Sequence, residues 1–477
     1  MVEPTPLPVV IPAARQSGRS RLWFGAALLI PLYFSVSSAI YGCSHPDRLQ
    51  DDARQHIVGL LRFSDPDLFP DSFIVDYYQS LSPPAFQGVY WLAAQLGLDA
   101  LTWVKLFPIA IGLVATGYFF GVVYQLLPNP IVAFITTVMF NQNIWLKEDV
   151  MSGTPRALVY PIFAAFLYYL LQGRVWPTLV TLVLQGWFYP TLMLIEMGML
   201  TMRLVVWAGA DGQIGGRSRW GTLHLTQHRR DWALWFGGVA ITTVILFPLA
   251  FGDSPYDPTV TLAQMQTMPT FQAGGRTEYF GVSPVQFWTA GRSGVRLPLY
   301  PPLIWLGLLL PIVRRLKLPL TRHITPQIRI LSDIFLASVT WYALAHLFML
   351  RLYLPSRYTY HSFRFSMAIA AGLTVAVCLD AGWRWWQRQR AIGINLGQGV
   401  ILGMALLLIS VSVVVPAWPR VFIGAHQWLD GKSPDLYAAI AQTPKSTLVA
   451  SLSEEADNIP AFARRSVLVG REFALPY

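Results

Sequence analysis

The stretch RLWFGAALLIPLYFSVSSAIYGCSHPDRLQDDARQH, residues 21–56, decides the fold. It opens on an arginine, runs through the apolar segment 22–42, and soon afterwards meets two adjacent carboxylates, Asp51 and Asp52. An apolar helix of roughly 20 residues crosses the ~30 Å hydrocarbon core of a bilayer. Arg15, Arg19 and Arg21 supply the basic flank of a signal anchor whose N-terminus stays in the cytoplasm. Ile40-Tyr41-Gly42-Cys43 looks faintly like a lipoprotein cleavage box, but Tyr41 is too large for its position there and the chain continues into many more apolar segments, so the segment is expected to stay as an anchor.

Working outward, the composition is 54% hydrophobic and only 13% charged over 477 residues, which excludes a water-soluble domain. Mean hydropathy is +0.45. Ten further apolar segments follow the first: 101–126, 130–145, 157–171, 178–188, 191–207, 232–251, 299–313, 328–350, 362–379 and 396–415. The expectation is an all-α polytopic membrane protein of about 11 transmembrane helices. The short segment 178–188 is read as a separate leg because Pro190 marks a hairpin tip. Counting from a cytoplasmic N-terminus puts three basic clusters inside: Arg217, Arg219, Arg229 and Arg230; Arg314, Arg315, Lys317 and Arg322; Arg384, Arg388 and Arg390. Those loops account for the net charge of +10, so no nucleic-acid partner is implied. Cys43 and Cys378 fall at opposite membrane faces, which excludes a disulfide framework.

This topology divides the chain into a disordered cytoplasmic leader, 1–21, a transmembrane domain, 22–415, with outer loops 43–100 and 252–298, and an outer tail, 416–477. In the first outer loop, 51–63 reads as an interfacial helix with Ile57, Leu60 and Leu61 on its apolar side and Asp52, Arg54 and Gln55 toward water. Residues 84–96 are too short to cross and carry Tyr90 and Trp91, which suit a half-immersed helix. In the tail, a helix at 434–442 and strands at 447–451 and 466–470 suggest a small α/β unit outside the membrane, either small by nature or incomplete.

The order of a single span, an acidic pair at its outer end, interfacial helices, a Pro-Pro-aromatic helix (Pro83-Pro84 to Trp91), many further spans and an outer tail resembles the GT-C class of integral membrane glycosyltransferases. That class includes protein mannosyltransferases, aminoarabinose transferases and the catalytic subunits of oligosaccharyltransferases. The resemblance covers roughly residues 20–380. It implies a GT-C-like fold, a polyprenyl-phosphate-linked sugar as donor, membrane lipids as surroundings and the cytoplasmic membrane as location. It also implies that Asp51 or Asp52 acts in catalysis, and it offers the acidic residues Glu148 and Asp149, placed like the family's second acidic motif, as a second site of acid or divalent-metal ligands, although plain surface charge is the favoured reading of those two. Leu81-Ser82 stands where some members carry a basic residue before the Pro-Pro pair, so the phosphate needs another cation.

Elementary chemistry leads the same way. A sugar on a polyprenyl phosphate reacts at the membrane surface, because the phosphate cannot enter hydrocarbon cheaply and the prenyl tail cannot leave it. The reaction needs a carboxylate to take the acceptor's proton and fixed cations to hold the departing phosphate. Asp51 and Asp52 fit the first need, with Arg54 and His56 close enough to offset their mutual repulsion. Helix capping is the plainer account of the pair. For the second need, Arg156 stands at the outer start of a helix, where neither the dipole nor positive-inside bias explains a cation, with snorkelling to headgroups as the alternative. Arg357, in Pro355-Ser356-Arg357-Tyr358, is the preferred phosphate ligand, since a guanidinium binds phosphate through two donors.

Tyr353, Tyr358 and Tyr360 read as an interfacial belt, Glu196 as a buried ionisable group serving as helix–helix glue, and His346 as a hydrogen-bonded packing residue. Arg276 and Arg292 lie in glycine-rich segments of the second outer loop, read as connectors or as a flexible cover touching substrate. No His, Cys and carboxylate spacing indicates a bound transition metal. Two further function classes stay open: a transporter or lipid flippase, and a non-catalytic GT-C-like protein.

Overall fold

The computed structural model describes residues 13–208, 222–251, 256, 260–348, 352, 354–392 and 396–474. Residues 1–12 of the leader, Arg217, Arg219 and Tyr353 lie outside the described residues, and the remainder of the leader, 13–21, is not disordered as expected but belongs to the first helix, Ala13–Cys43. The chain is mostly helical. Among the described residues, five helices are long and apolar enough to cross a membrane: Gly18–Cys43, Ala100–Leu126, Arg229–Pro248, Pro326–Leu347 and Arg357–Gln389.

Between and beyond them stand shorter apolar helices whose ends are written in the sequence. Pro130–Trp145 starts on proline, where the missing N–H costs nothing, and the Asn129 side chain caps it by accepting from the amide of Ile131 at 3.0 Å. Val159–Gln172 stops at Gly173, whose φ of 73° is the left-handed conformation that suits glycine. Val175–Phe188 and Pro190–Leu204 meet at Tyr189, so 178–188 is indeed a separate leg and Pro190 opens the next one. The segment 299–313 differs from its expected single span: it is a 3-10 stretch, Pro302–Leu309, followed by the α-helix Leu310–Arg315. Pro301, Pro302 and Pro311 remove donors from the α-helical ladder there. Gly307 lets the narrower helix press on Ser362–Ile392, its added Cβ falling 3.0 Å from the carbonyl of Met367.

The first helix, Ala13–Cys43, packs against Ala100–Leu126 and Pro130–Trp145, and the last of these also packs on Ser362–Ile392. Without a strong hydrophobic force inside lipid, such contacts depend on close approach through small residues. Gly372 is the tightest case, since a Cβ there would lie 2.5 Å from the Thr136 Cα. Backbone on the facing side cannot yield, so Gly372→Val is expected to destabilise by about 1–3 kcal/mol or more. Loss of the monodisperse peak in detergent chromatography checks this, and an unchanged profile and melting temperature would refute it.

The loop between the first helix and Ala100–Leu126 carries the acidic pair. Its 51–63 segment is an α-helix, Asp51–Ile57, continued by a 3-10 turn, Val58–Phe63. Ile57, Leu60 and Leu61 are buried as expected, but Arg54 and Gln55 are buried too, against the expectation that they face water. The reason is the tail, which folds back over them. Its strand Trp428–Asp430 pairs antiparallel with Arg48–Gln50, and Arg48 forms an ion pair with Asp430. Tail residues Tyr437, Ile459, Val467 and Phe473 share an apolar cluster with Tyr78 of the loop helix Phe73–Leu81. Farther along the loop, Pro84–Gln95 buries Phe86 and Tyr90 and leaves Trp91 and Leu92 exposed. Within the tail, Pro434–Ala441 is helical and Leu448–Val449 pairs in parallel with Ser466–Val467.

Candidate functional site

The acidic pair opens the loop helix, and its two members part company at once. The cap is supplied by Gln50, whose side-chain oxygen accepts from the Ala53 amide at 3.1 Å. Neither aspartate therefore serves as the side-chain cap, although both sit in the first turn where the helix dipole favours them. Asp51 turns toward the tail and accepts from Arg54, which also donates to the Asn458 side chain at 2.9 Å and lies 3.6 Å from Glu472. Arg54 is thus a strut between loop and tail. Glu472 also accepts from Gln55 and pairs with Arg276 at 2.8 Å, so Arg276 is tied to the tail. Burial, reinforced by Asp51, pushes the Glu472 carboxyl above its ordinary range.

Asp52 turns the other way, into the membrane domain, and pairs with Arg156. The same guanidinium lies 3.0 Å from the carboxylate of Asp149, which is fully buried. Asp149 reaches this place on a single helical turn, Glu148–Met151, and Arg156 on the short 3-10 turn Pro155–Leu158, with Gly153 (φ 57°) turning the chain between them. An added Cβ at Gly153 would also meet the Val104 carbonyl oxygen at 3.0 Å. Asp149 further accepts from the Tyr160 hydroxyl at 2.9 Å and the Tyr360 hydroxyl at 3.3 Å. A buried carboxylate with three partners is a fixed one.

The opposite wall comes from Arg357–Tyr360 and the start of Ser362–Ile392. His361 Nδ1 lies 3.4 Å from the Tyr160 hydroxyl, and Tyr189 packs edge-on against the His361 ring. Arg364 donates to the Asn143 carbonyl at 3.1 Å, with its guanidinium 4.4 Å from the centre of the Tyr360 ring. Burial, then the nearby Arg357 charge, pushes His56 down to about 4, so it is neutral at physiological pH. Arg156 is lowered by the same two causes in the same order, a sign that the Arg156 and Arg357 charges crowd one region. Glu148, flanking this cluster, is pushed up by burial and then by Asp149.

Asp52, Asp149 and Arg156 therefore converge, with Arg357 and His56 close to them, while Asp51 and Arg54 do not join them. Tyr358 and Tyr360 do not form a lipid-facing belt: Tyr358 is buried and Tyr360 donates to Asp149. Tyr160, His361 and Arg364 went unnoticed in the sequence. The signal was there for the last two, because ionisable side chains at the head of an apolar helix ordinarily face a polar interior. Glu196 is fully buried, and neither of its carboxylate oxygens has a hydrogen-bond partner among the described residues. His346 accepts from or donates to Tyr279 at 3.0 Å and lies 3.0 Å from the Ser293 carbonyl, the packing arrangement expected of it. Among the described residues no three His, Cys, Asp or Glu side chains group to hold a metal ion. Asp52 and Asp149 share a guanidinium instead, a donor set that does not fit a divalent ion.

No family model matches the sequence, and no curated protein matches it. Among solved structures, the fold is similar to the archaeal oligosaccharyltransferase AglB from Archaeoglobus fulgidus, determined in complex with an inhibitory peptide and a dolichol-phosphate. The TM-score is 0.55 at 12% sequence identity, over 95% of this chain and 65% of AglB. The chain thus spans about two thirds of the length of that relative. The likeness shows the fold alone, a GT-C-like one.

Proposed function

We propose that the chain is a membrane transferase that moves a sugar from a polyprenyl-phosphate donor to an acceptor at the outer membrane face, with inversion at the anomeric carbon. The observation that carries this reading is the pairing of Asp52 with Arg156 above the buried Asp149, at the end of the first apolar helix. In the reaction, a nucleophilic acceptor X–H attacks the anomeric carbon from the face opposite the phosphate. Its proton passes to the Asp52 carboxylate, the bond from that carbon to the phosphate oxygen breaks, and the electron pair leaves on the polyprenyl phosphate.

Arg357 is the first cation to meet that phosphate, and Arg156 is the second. In the substrate-free arrangement Arg156 belongs to two carboxylates, which weakens Asp52 as a base. A lipid phosphate drawn in by Arg357 competes for the Arg156 guanidinium, and as the contact with Asp52 loosens the carboxylate becomes free to take a proton. Asp149, held by Tyr160 and Tyr360, keeps Arg156 from following the phosphate out of the site. The role is positional, since no proton needs to reach Asp149.

The test uses the purified protein in liposomes with a radiolabelled polyprenyl-phosphate sugar and an envelope extract as source of acceptors. The expected result is label passing from the organic-extractable lipid into a covalent, water-soluble or acceptor-bound product. Label that crosses to the other leaflet while still on its lipid would instead make the protein a flippase and sink this reading.

A further inference from the structure

A cleft of about 820 Å³ opens between Gly18–Cys43, Ala100–Leu126 and Val159–Gln172, at the end of the first helix away from Asp52. Sites that hold small molecules occupy roughly 300–1,000 Å³. Its walls are apolar and aromatic, with Phe24, Phe120 and Tyr168 prominent, and Arg21 stands exposed at its rim. Among the described residues the lining contains this one arginine and no carboxylate. Along Ala100–Leu126 the lining runs from Val114 to Gln125, which at 1.5 Å per residue is about 16 Å, close to half of the ~30 Å bilayer core.

Two glycines make the recess. At Gly121 an added Cβ would lie 2.6 Å from the Tyr168 ring, so glycine lets that ring close the floor. At Gly117 an added Cβ would meet Phe24 at an ordinary 3.7 Å, with no other heavy atom among its near neighbours except that ring. Glycine at 117 therefore leaves no side chain between the helix backbone and the Phe24 ring. Two of the hydroxyls inside are paired with one another, those of Tyr118 and Tyr169 at 2.9 Å.

We propose that this cleft is a binding site for one anionic glycerophospholipid, with an acyl chain along Gly117 and the phosphate at Arg21. An apolar trench one leaflet deep, with a cation and no opposing acid at its mouth, matches an amphiphile with a negative head. The lipid here is distinct from any donor at the transfer site. Arg21 and Cys43 are separated by 22 helical residues, about 33 Å of helix, and Asp52 lies beyond Cys43. A zwitterionic lipid would fill the trench equally well but would gain less at its rim.

Native mass spectrometry of the delipidated full chain, titrated with dioleoyl-phosphatidylglycerol or dioleoyl-phosphatidylcholine, tests this. One well-placed basic group near an anionic lipid favours it about five-fold, so phosphatidylglycerol should bind about five-fold tighter. Arg21→Gln should bring the two lipids to equal affinity, and Gly117→Leu should weaken both by filling the trench. Equal affinity for the two lipids in the parent protein, or unchanged preference in Arg21→Gln, would overturn the proposal. Stronger retention of a polyprenyl phosphate than of phosphatidylglycerol would also overturn it, by giving the cleft a different occupant. Should Gly117→Leu fail to fold, Arg21→Gln, altered only at an exposed position, still decides.

Discussion

Asp52→Asn protein is expected to insert and elute like the parent while transferring sugar about 10²–10⁴-fold more slowly, the usual contribution of a positioned general base. Asp51→Asn is expected to stay within a few-fold of the parent. The contrast follows from where the two neighbours point. Asp51 accepts from Arg54 on the side where the tail docks, and an amide oxygen can still accept there. Asp52 faces Arg156 across the site, and an amide can accept from that guanidinium but cannot take a proton from an acceptor. Initial rates with the radiolabelled donor, compared at equal amounts of folded protein, measure both variants. Full activity in Asp52→Asn removes the base assignment, and the reverse pattern, with Asp51→Asn dead, moves the base to its neighbour. Equal moderate losses in both would point to a role in holding the loop, because either change loosens one end of the same helical turn.

How much of this was legible beforehand depends on how local each signal is. The first helix, the helical segments at 51–63 and 84–96 and the break at Pro190 are set by runs of side chains close in sequence, and the structure has helix there, although 51–63 turns from α to 3-10 after Ile57. The 299–313 segment misled because its apolar length satisfies a hydropathy rule that ignores missing donors, whereas its prolines make it a 3-10 stretch followed by a short helix. The site itself is non-local. Arg54 meets a partner 404 residues away, and Asp149 one 211 residues away. Periodicity placed Arg54 and Gln55 toward water because it cannot foresee a tail strand closing over them. It also could not choose between Asp51 and Asp52, since adjacent helical residues point in directions about 100° apart and only the surroundings reveal which direction is the interior. Arg156 has no local cause for its charge at the start of an apolar helix, and an unexplained charge points to a partner elsewhere, here Asp52 and Asp149.

That partner leads to the second large effect, at Asp149. Asp149→Ala is expected to cost about 3–5 kcal/mol of stability, the typical penalty for removing one side of a buried ion pair. The size follows from what is left behind. Arg156 would keep only Asp52, and the Tyr160 and Tyr360 hydroxyls would lose their shared acceptor in a region where water cannot replace it. Asp149→Asn separates the two consequences, because its amide oxygen can still accept from one tyrosine and from Arg156 while its charge is gone. That variant should fold, with a melting temperature nearer the parent than that of the alanine variant. Its transfer rate should nevertheless fall at least ten-fold, since an Arg156 no longer held from below is free to remain with Asp52 or to follow the phosphate. A positioning role predicts that this loss appears mainly in kcat and that Asp149→Glu, which restores the charge at a shifted position, recovers part of it. If Asp149→Asn transfers like the parent, Arg156 is positioned by its other neighbours, and Asp149 is a structural carboxylate whose removal harms folding alone.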